Sequence, residues 1–292
     1  MPLPNLIYIG PDKAGSTWLF QLLSHHKDAF VTPAKDLYFF DRYFDKGLEW
    51  YSRQFETDQD HQVIAEVSHD YLYSVRAAER MSGVLAGDAR LMVCLREPVE
   101  RAFSAYLYMV KCGQFNGTFE QAIERFPGLV DRGMYGKHLS KYLDYFPRER
   151  LIWTSFGQLR QDPQQFANQV FSRIGLSSIR LSEQLTARSL PAGQSRCVAL
   201  TRLVRLIAKL VRDAGMPQLV GHVKTSRLVQ AILFSSFTAA NRPRMAASSR
   251  ERLRDLFAPD ARLLDRVIGT DLSQQWGYEQ VDQVTPPQLI AV

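Results

Sequence analysis

The sequence predicts an α/β protein: a three-layer fold with a central parallel sheet of about five strands and a helical C-terminal insertion. Two observations carry that reading. Short apolar runs alternate along the chain with segments of helical period, and such alternation covers both faces of a parallel sheet with helices. The chain also has 292 residues, 46% hydrophobic and 23% charged, which is enough apolar mass for one large domain with an ordinary core. Residues 1–292 are therefore read as a single domain, with a basic helical insertion over about 192–250.

The elements follow in order. Leu6 to Ile9 is a short apolar run that ends at Gly10 and reads as a buried strand. Thr17 to Ser24 carries Trp18, Leu19, Leu22 and Leu23 at helical spacing, so the chain opens as strand, glycine-bearing loop, helix. Val31 and Phe39-Phe40 flank a second short element, Val63 to Val67 is a strand, and Ala77 to Leu85 is a helix. Arg90 to Leu95 is a strand that stops at Arg96-Glu97-Pro98. Proline suits a first helical turn, and Val99 to Lys111 has a helical period. Leu151 to Thr154 is a further strand, and Pro163 to Ile174 a helix closed by Gly175. From about Ala192 to Arg250 the chain is helical and basic, with no strand expected. There, Thr201 to Arg212 places Arg202, Arg205, Lys209 and Arg212 on one face and Leu203, Leu206, Ile207 and Leu210 on another.

Charge and cysteine usage narrow the function. A formal net charge of +6 suits an anionic ligand or an acidic polymer without saying which. The three cysteines, Cys94, Cys112 and Cys197, are far apart and odd in number, so neither a disulfide framework nor a zinc site is expected, and no metal is. The N-terminus has no basic region ahead of a long apolar stretch, and no run approaches the ~18 apolar residues of a membrane span. A soluble cytoplasmic protein is expected, with no nucleic-acid partner. The basic helix near Thr201 offers contact with a membrane surface or an acidic polymer, or else a solvated face. The oligomeric state stays open.

Gly10-x4-Gly15, after a strand and before a helix, has the layout of a phosphate-binding loop, which makes the fold P-loop-like. Backbone N–H groups of such a turn and helix start point at an anion. The loop is not a Walker motif, in which lysine follows the last glycine. Here Ser16 stands in that place and the lysine sits inside the loop as Lys13. A magnesium-dependent nucleotidase is disfavoured on that ground. A loop lysine beside hydroxyl residues can instead neutralise charge as a phosphosulfate bond breaks. The plainer alternative is a glycine turn with a solvated lysine.

The pattern Lys13-Ala14-Gly15-Ser16-Thr17 resembles the 5′-phosphosulfate loop of the sulfotransferases that use 3′-phosphoadenosine 5′-phosphosulfate (PAPS). The resemblance implies that Lys13, Ala14, Gly15, Ser16, Thr17 and Trp18 wrap the 5′-phosphosulfate, with Lys13 assisting the leaving phosphate. A second stretch extends it. Arg96-Glu97-Pro98, then Arg101-Ala102-Phe103-Ser104-Ala105-Tyr106, is similar to the family's Arg-Asp/Glu-Pro and Arg-x-x-Ser-x-Tyr segment. By that likeness Arg96 and Ser104 bind the 3′-phosphate, a task for which arginine offers a bidentate fork. Read alone, a strand-end arginine is as often a surface ion pair.

The acceptor side resembles the carbohydrate-type members, including those that act on heparan sulfate. Lys35-Asp36-Leu37-Tyr38-Phe39-Phe40 is similar to their Lys-Glu-x-x-Phe-Phe, with Asp36 where the family has its glutamate base. An acceptor hydroxyl needs such a base to become a nucleophile. Glu66-Val67-Ser68-His69-Asp70-Tyr71 resembles Glu-Lys-Ser/Thr-Pro-x-Tyr, with Val67 in the lysine position and His69 in the proline position. His69 is thus a second candidate base, and Glu66 faces the acceptor or pairs with a lysine. Arg132-Gly133-Met134-Tyr135 and Leu159-Arg160-Gln161-Asp162-Pro163 extend the likeness, and the adenine contact is sought around Arg188 to Arg196. The implied function is direct in-line transfer of a sulfuryl group from PAPS to a hydroxyl or amine of a saccharide or secondary metabolite. Two alternatives remain: a nucleotide or metabolite kinase with a divergent loop, and a non-catalytic module that binds polyanions.

Overall fold

The computed structural model of the protein describes residues 1–186, 193–195, 198–215, 234–237 and 242–278. Strand β1 (Leu6–Gly10) leads through the loop into helix α1 (Ser16–Ser24), followed by β2 (Ala29–Val31), α2 (Gly47–Ser52), β3 (Val63–Val67) and α3 (Val75–Val84). Next come β4 (Arg90–Leu95), α4 (Pro98–Lys111), α5 (Phe119–Arg125), α6 (Gly128–Asp131) and α7 (Tyr135–Tyr142). Strand β5 (Leu151–Ser155) runs into α8 (Phe156–Gln161), α9 (Pro163–Ile174) and α10 (Glu183–Thr186). Two short strands, β6 (Gly193–Ser195) and β7 (Phe234–Ser236), flank α11 (Val198–Asp213) in sequence. Helices α12 (Ala247–Ile268) and α13 (Leu272–Gln275) complete the described chain.

The main sheet has five strands in the order β2-β3-β1-β4-β5, all parallel, with Leu6 in register with both Ala65 and Arg90. Alternate residues of each strand serve opposite faces. Ile7, Ile9, Leu91, Val93 and Leu95 pack with buried residues of α3, α7 and α12, among them Met81, Leu139 and Leu264. Leu6, Tyr8, Val67, Met92 and Cys94 pack on the other face against Trp18, Leu19 and Leu22 of α1 and Phe166, Val170 and Phe171 of α9. A third cluster, including Val99, Ala102, Phe119 and Phe257, joins α4, α5 and α12. Each fully buried Leu, Ile, Val or Phe in these clusters contributes about 1.5–3 kcal/mol of transfer free energy.

Helix ends follow local chemistry. Glu97 caps α4 by accepting from the N–H groups of Val99 and Glu100 at 3.1 and 2.7 Å, with Pro98 in the first turn. Asp162 caps α9 by accepting from Gln165 N–H at 2.9 Å, and Gly175, at φ +83°, closes it in the left-handed conformation.

The segment over about 192–250 departs from expectation in two ways. The segment read as helical throughout contains β6 and β7, which pair antiparallel with Gly193 opposite Ser236. Three-residue strands are too short to show an alternating period, so the sequence carried no signal for them. Helix α11 is present, but Leu203, Leu206, Ile207 and Leu210 are 53%, 55%, 51% and 58% exposed, while Thr201 is buried. The side chains of Arg202, Arg205, Lys209 and Arg212 lie outside the described residues, as does the stretch Arg188 to Arg196 apart from β6. The C-terminal end of α11 is tied to the body. Tyr43 donates to an Asp213 carboxylate oxygen at 2.7 Å, Lys46 to the Asp213 carbonyl at 2.8 Å, and Trp50 to the Gly215 carbonyl at 3.3 Å. Among the described residues, no helix is long and apolar enough to cross a membrane.

Candidate active site

The loop between β1 and α1 lies at the carboxyl end of the central strand, where open α/β sheets bind ligands. Gly10 has φ +141°, and a Cβ there would come within 2.6 Å of the His69 carbonyl oxygen, so only glycine lets β3's following loop close over the turn. Gly15, at φ +90°, precedes α1 and provides no side-chain cap. The first-turn N–H groups of α1, from Ser16, Thr17 and Trp18, therefore keep no intrahelical acceptor and are aimed for an anion. Ala14 and Ser16 are buried and Thr17 is half-buried beside them.

Lys13 holds the left-handed conformation at φ +62°, with its ammonium 3.3 Å from the centre of the Tyr108 ring. Burial pulls its pKa down to about 8, against an opposing pull from Asp12. Asp12 shows the reverse balance. Burial raises its carboxyl, but Arg101, His69, Arg132 and Lys13 together bring it down to about 2. Arg101 Nη1 stands 3.3 Å from Asp12, Arg132 Nη1 3.9 Å, and the Tyr73 hydroxyl donates to Asp12 at 3.0 Å. Asp12 thus anchors the loop from inside.

Because β1 and β4 are neighbours, the second anchor lands beside the first. Arg96 leaves the end of β4, donates through Nη1 to the Lys13 carbonyl at 3.0 Å, and lies 4.8 Å over the Phe156 ring. Tyr135 donates to the Arg96 carbonyl at 2.9 Å. Ser104 is half-buried on α4, one turn before Tyr108, so the Lys13–Tyr108 contact turns the Ser104 face of the helix toward the loop. Trp18 is placed otherwise than its role in the loop suggests. Its indole is buried against Phe166 and donates to the Leu185 carbonyl at 2.7 Å, which leaves only its backbone N–H to the loop.

On the other side of β1, the residues around β3 form a second cluster. Asp36 is buried, its N–H donates to the Val67 carbonyl at 2.8 Å, and its carboxylate lies 2.6 Å from His69 Nδ1. Lys35 Nζ approaches the same Asp36 oxygen at 3.4 Å and His69 Nδ1 at 3.5 Å. Asp70 pairs with Arg42 and, at 2.8 Å, with Arg132. Both candidate bases are therefore brought together. Glu66 is not with them. It is buried beneath, accepting from Tyr51, Ser68 and Tyr71 at 2.5, 2.6 and 2.7 Å, and burial raises its pKa to about 7. Its oxygens are spent on three hydroxyls, so it turns inward rather than toward an acceptor, and among the described residues it pairs with no lysine.

Sequence reasoning did not assign roles to Asp12, Asp70, Arg42 or Tyr108. The ion pairs of the two aspartates join residues dozens of positions apart, and no local pattern marks such partners. Among the described residues, no group of three or more His, Cys, Asp and Glu is arranged to hold a metal ion.

A parallel sheet with a glycine loop after its central strand, and cations gathered at two adjacent strand ends, defines an α/β protein whose strand-end site is suited to an anion. The sulfotransferase domain family matches residues 3–195, and the chain belongs to that family. Heparan sulfate glucosamine 3-O-sulfotransferase 3B1 from Homo sapiens is 33% identical over 186 residues, covering 61% of this chain and 47% of that protein. Heparan sulfate glucosamine 3-O-sulfotransferase 3A1 from Homo sapiens is 33% identical over the same length, covering 45% of its own chain. The chain thus spans about half the length of the curated relatives it matches. The crystal structure of a sulfotransferase from Alicyclobacillus acidocaldarius superposes with a TM-score of 0.66 at 22% identity, covering 94% of this chain and 99% of that one, which shows a shared fold.

Proposed function

We propose that the protein transfers a sulfuryl group from PAPS to a hydroxyl or amine of an acceptor, directly and in line. The observation that carries the reading is the convergence of Lys13, the uncapped start of α1, Arg96 and the Ser104 face of α4 at two adjacent strand ends. The loop and α1 receive the 5′-phosphosulfate, while Arg96 and Ser104 receive the 3′-phosphate. Lys13 offsets the charge that grows on the leaving phosphate oxygen. The acceptor approaches from the β3 side, where its proton passes to the Asp36–His69 pair. The human relatives are named for a saccharide acceptor, and a saccharide is the acceptor class proposed here. Residues 1–292 act as one domain, with about 192–250 inserted into it.

Calorimetry with adenosine 3′,5′-bisphosphate tests the reading. Binding is expected without Mg²⁺. Lys13→Ala should leave a folded protein whose sulfuryl transfer from PAPS to a heparan sulfate oligosaccharide falls ~10²–10³-fold, the scale for losing one charge-stabilising group. Stabilisation by ATP with Mg²⁺ instead would point to a kinase.

A further inference from the structure

We infer that His69, through Nε2, is the group that takes the acceptor's proton, and that Asp36 is its positioning residue rather than the base itself. The inference rests on the sulfotransferase reading above and assigns roles within that site.

The geometry around the imidazole points one way. A carboxylate only accepts hydrogen bonds, so the 2.6 Å contact between Asp36 and His69 Nδ1 requires the ring proton on Nδ1. That leaves Nε2 as the lone pair. Its acidic neighbour, Asp70, is 3.7 Å away, beyond hydrogen-bond reach, and is already paired with Arg42 and Arg132. Lys35 sits on the Nδ1 side of the ring, against the Asp36 oxygen. The Asp36 side chain is also the more deeply enclosed of the two, 6% exposed against 20% for His69, so an acceptor meets the imidazole first.

Backbone conformation adds an independent observation. Asp36 and Tyr38 both have positive φ, +67° and +55°, a conformation that side chains rarely adopt and that folds keep where a site needs it. Both bent residues serve His69. Asp36 holds Nδ1, and the Tyr38 ring meets the imidazole edge-on at 6.0 Å while Arg42 lies over that ring at 4.0 Å. The His69 backbone in turn rests on Gly10 at the start of the donor loop.

The step balances as follows. The acceptor oxygen forms its bond to sulfur as the bond from sulfur to the 5′-phosphate oxygen breaks. The hydroxyl proton moves to His69 Nε2, and the electron pair of the broken bond leaves with adenosine 3′,5′-bisphosphate, facing Lys13. The imidazolium, held by the Asp36 carboxylate, returns the proton to water after the products leave.

Two measurements on the full chain decide it. In long-range ¹H–¹⁵N spectra of the imidazoles, with His69 assigned by its loss in His69→Gln, the neutral ring should carry its proton on Nδ1, and Asp36→Asn should change that pattern. In assays of adenosine 3′,5′-bisphosphate release from PAPS, with water or a heparan sulfate oligosaccharide as acceptor, His69→Ala should lower turnover ~10²-fold or more, with KM for PAPS within about threefold of wild type. Free imidazole should restore part of that turnover. Asp36→Asn should also lower turnover, yet cost nothing further on the His69→Ala background, since it acts through the ring. Turnover of His69→Ala within about threefold of wild type, a fully additive Asp36→Asn cost, or a ring protonated on Nε2 would overturn the assignment. A wild-type chain that fails to bind adenosine 3′,5′-bisphosphate overturns the proposed function instead, and the spectra still decide the pairing of Asp36 with His69.

Discussion

Lys13 is a cation placed under tension between a dry site and a nearby carboxylate. Burial brings it to about 8, so its ammonium is fully present below that pH and is lost as pH rises through it. An anionic ligand favours the charged form, so affinity for adenosine 3′,5′-bisphosphate should weaken progressively above about pH 8. Lys13→Met should bind more weakly and lose that slope, which calorimetry across pH 7 to about 10 checks. The positions of Lys13, Arg96 and Ser104 near two adjacent strand ends were readable from sequence because each stands at a fixed distance from a strand end. Trp18 was readable as a neighbour of the loop, but only packing tells whether an indole or a peptide N–H faces outward. Glu66 shows the same limit. Its place near the end of a strand was plain, whereas the enclosing hydroxyls come from Tyr51 on α2 and from Tyr71 by a turn of the following loop, and neither contact leaves a mark in the local pattern.

At the level of elements, the loop and α1 depend on one another through Gly15. A Cβ there would meet Leu159 Cδ2 at 2.9 Å, and φ +90° would be strained for any side chain. Gly15→Ala should therefore leave the core folded, as near-unchanged far-ultraviolet circular dichroism would show. It should weaken adenosine 3′,5′-bisphosphate binding ~10-fold or more, because the N–H groups move off their target. The strands β1, β3, β4 and β5 were legible as continuous apolar runs, the mark of strands covered on both faces. β2, β6 and β7 have three residues each, too few to carry a period. In α11 the period told which leucines share a face. It could not tell that this face would be exposed, because burial depends on what the rest of the chain brings alongside.

For the molecule as a whole, the sealed Glu66 ties stability to pH. Its folded pKa of about 7 exceeds the ordinary 4.5, so the unfolded chain releases that proton first. The stability this group contributes is therefore complete below about pH 4.5 and is lost as pH climbs toward 7. Melting temperatures measured across that window should fall less steeply for Glu66→Gln than for the native chain, whatever the offset between the two curves. The sheet order has a different kind of consequence. Strand β1 stands between β3, whose loop carries His69, and β4, whose end carries Arg96. The two halves of the proposed site hang on opposite flanks of one strand, tied across it by Arg132, which pairs with both Asp12 and Asp70. On the proposed function, substitutions that retune the choice of acceptor can accumulate on the β2–β3 flank while the β4–β5 flank stays as it is. Such a scaffold lends itself to recombination, with the β2–β3 flank of one relative grafted onto the β4–β5 flank of another.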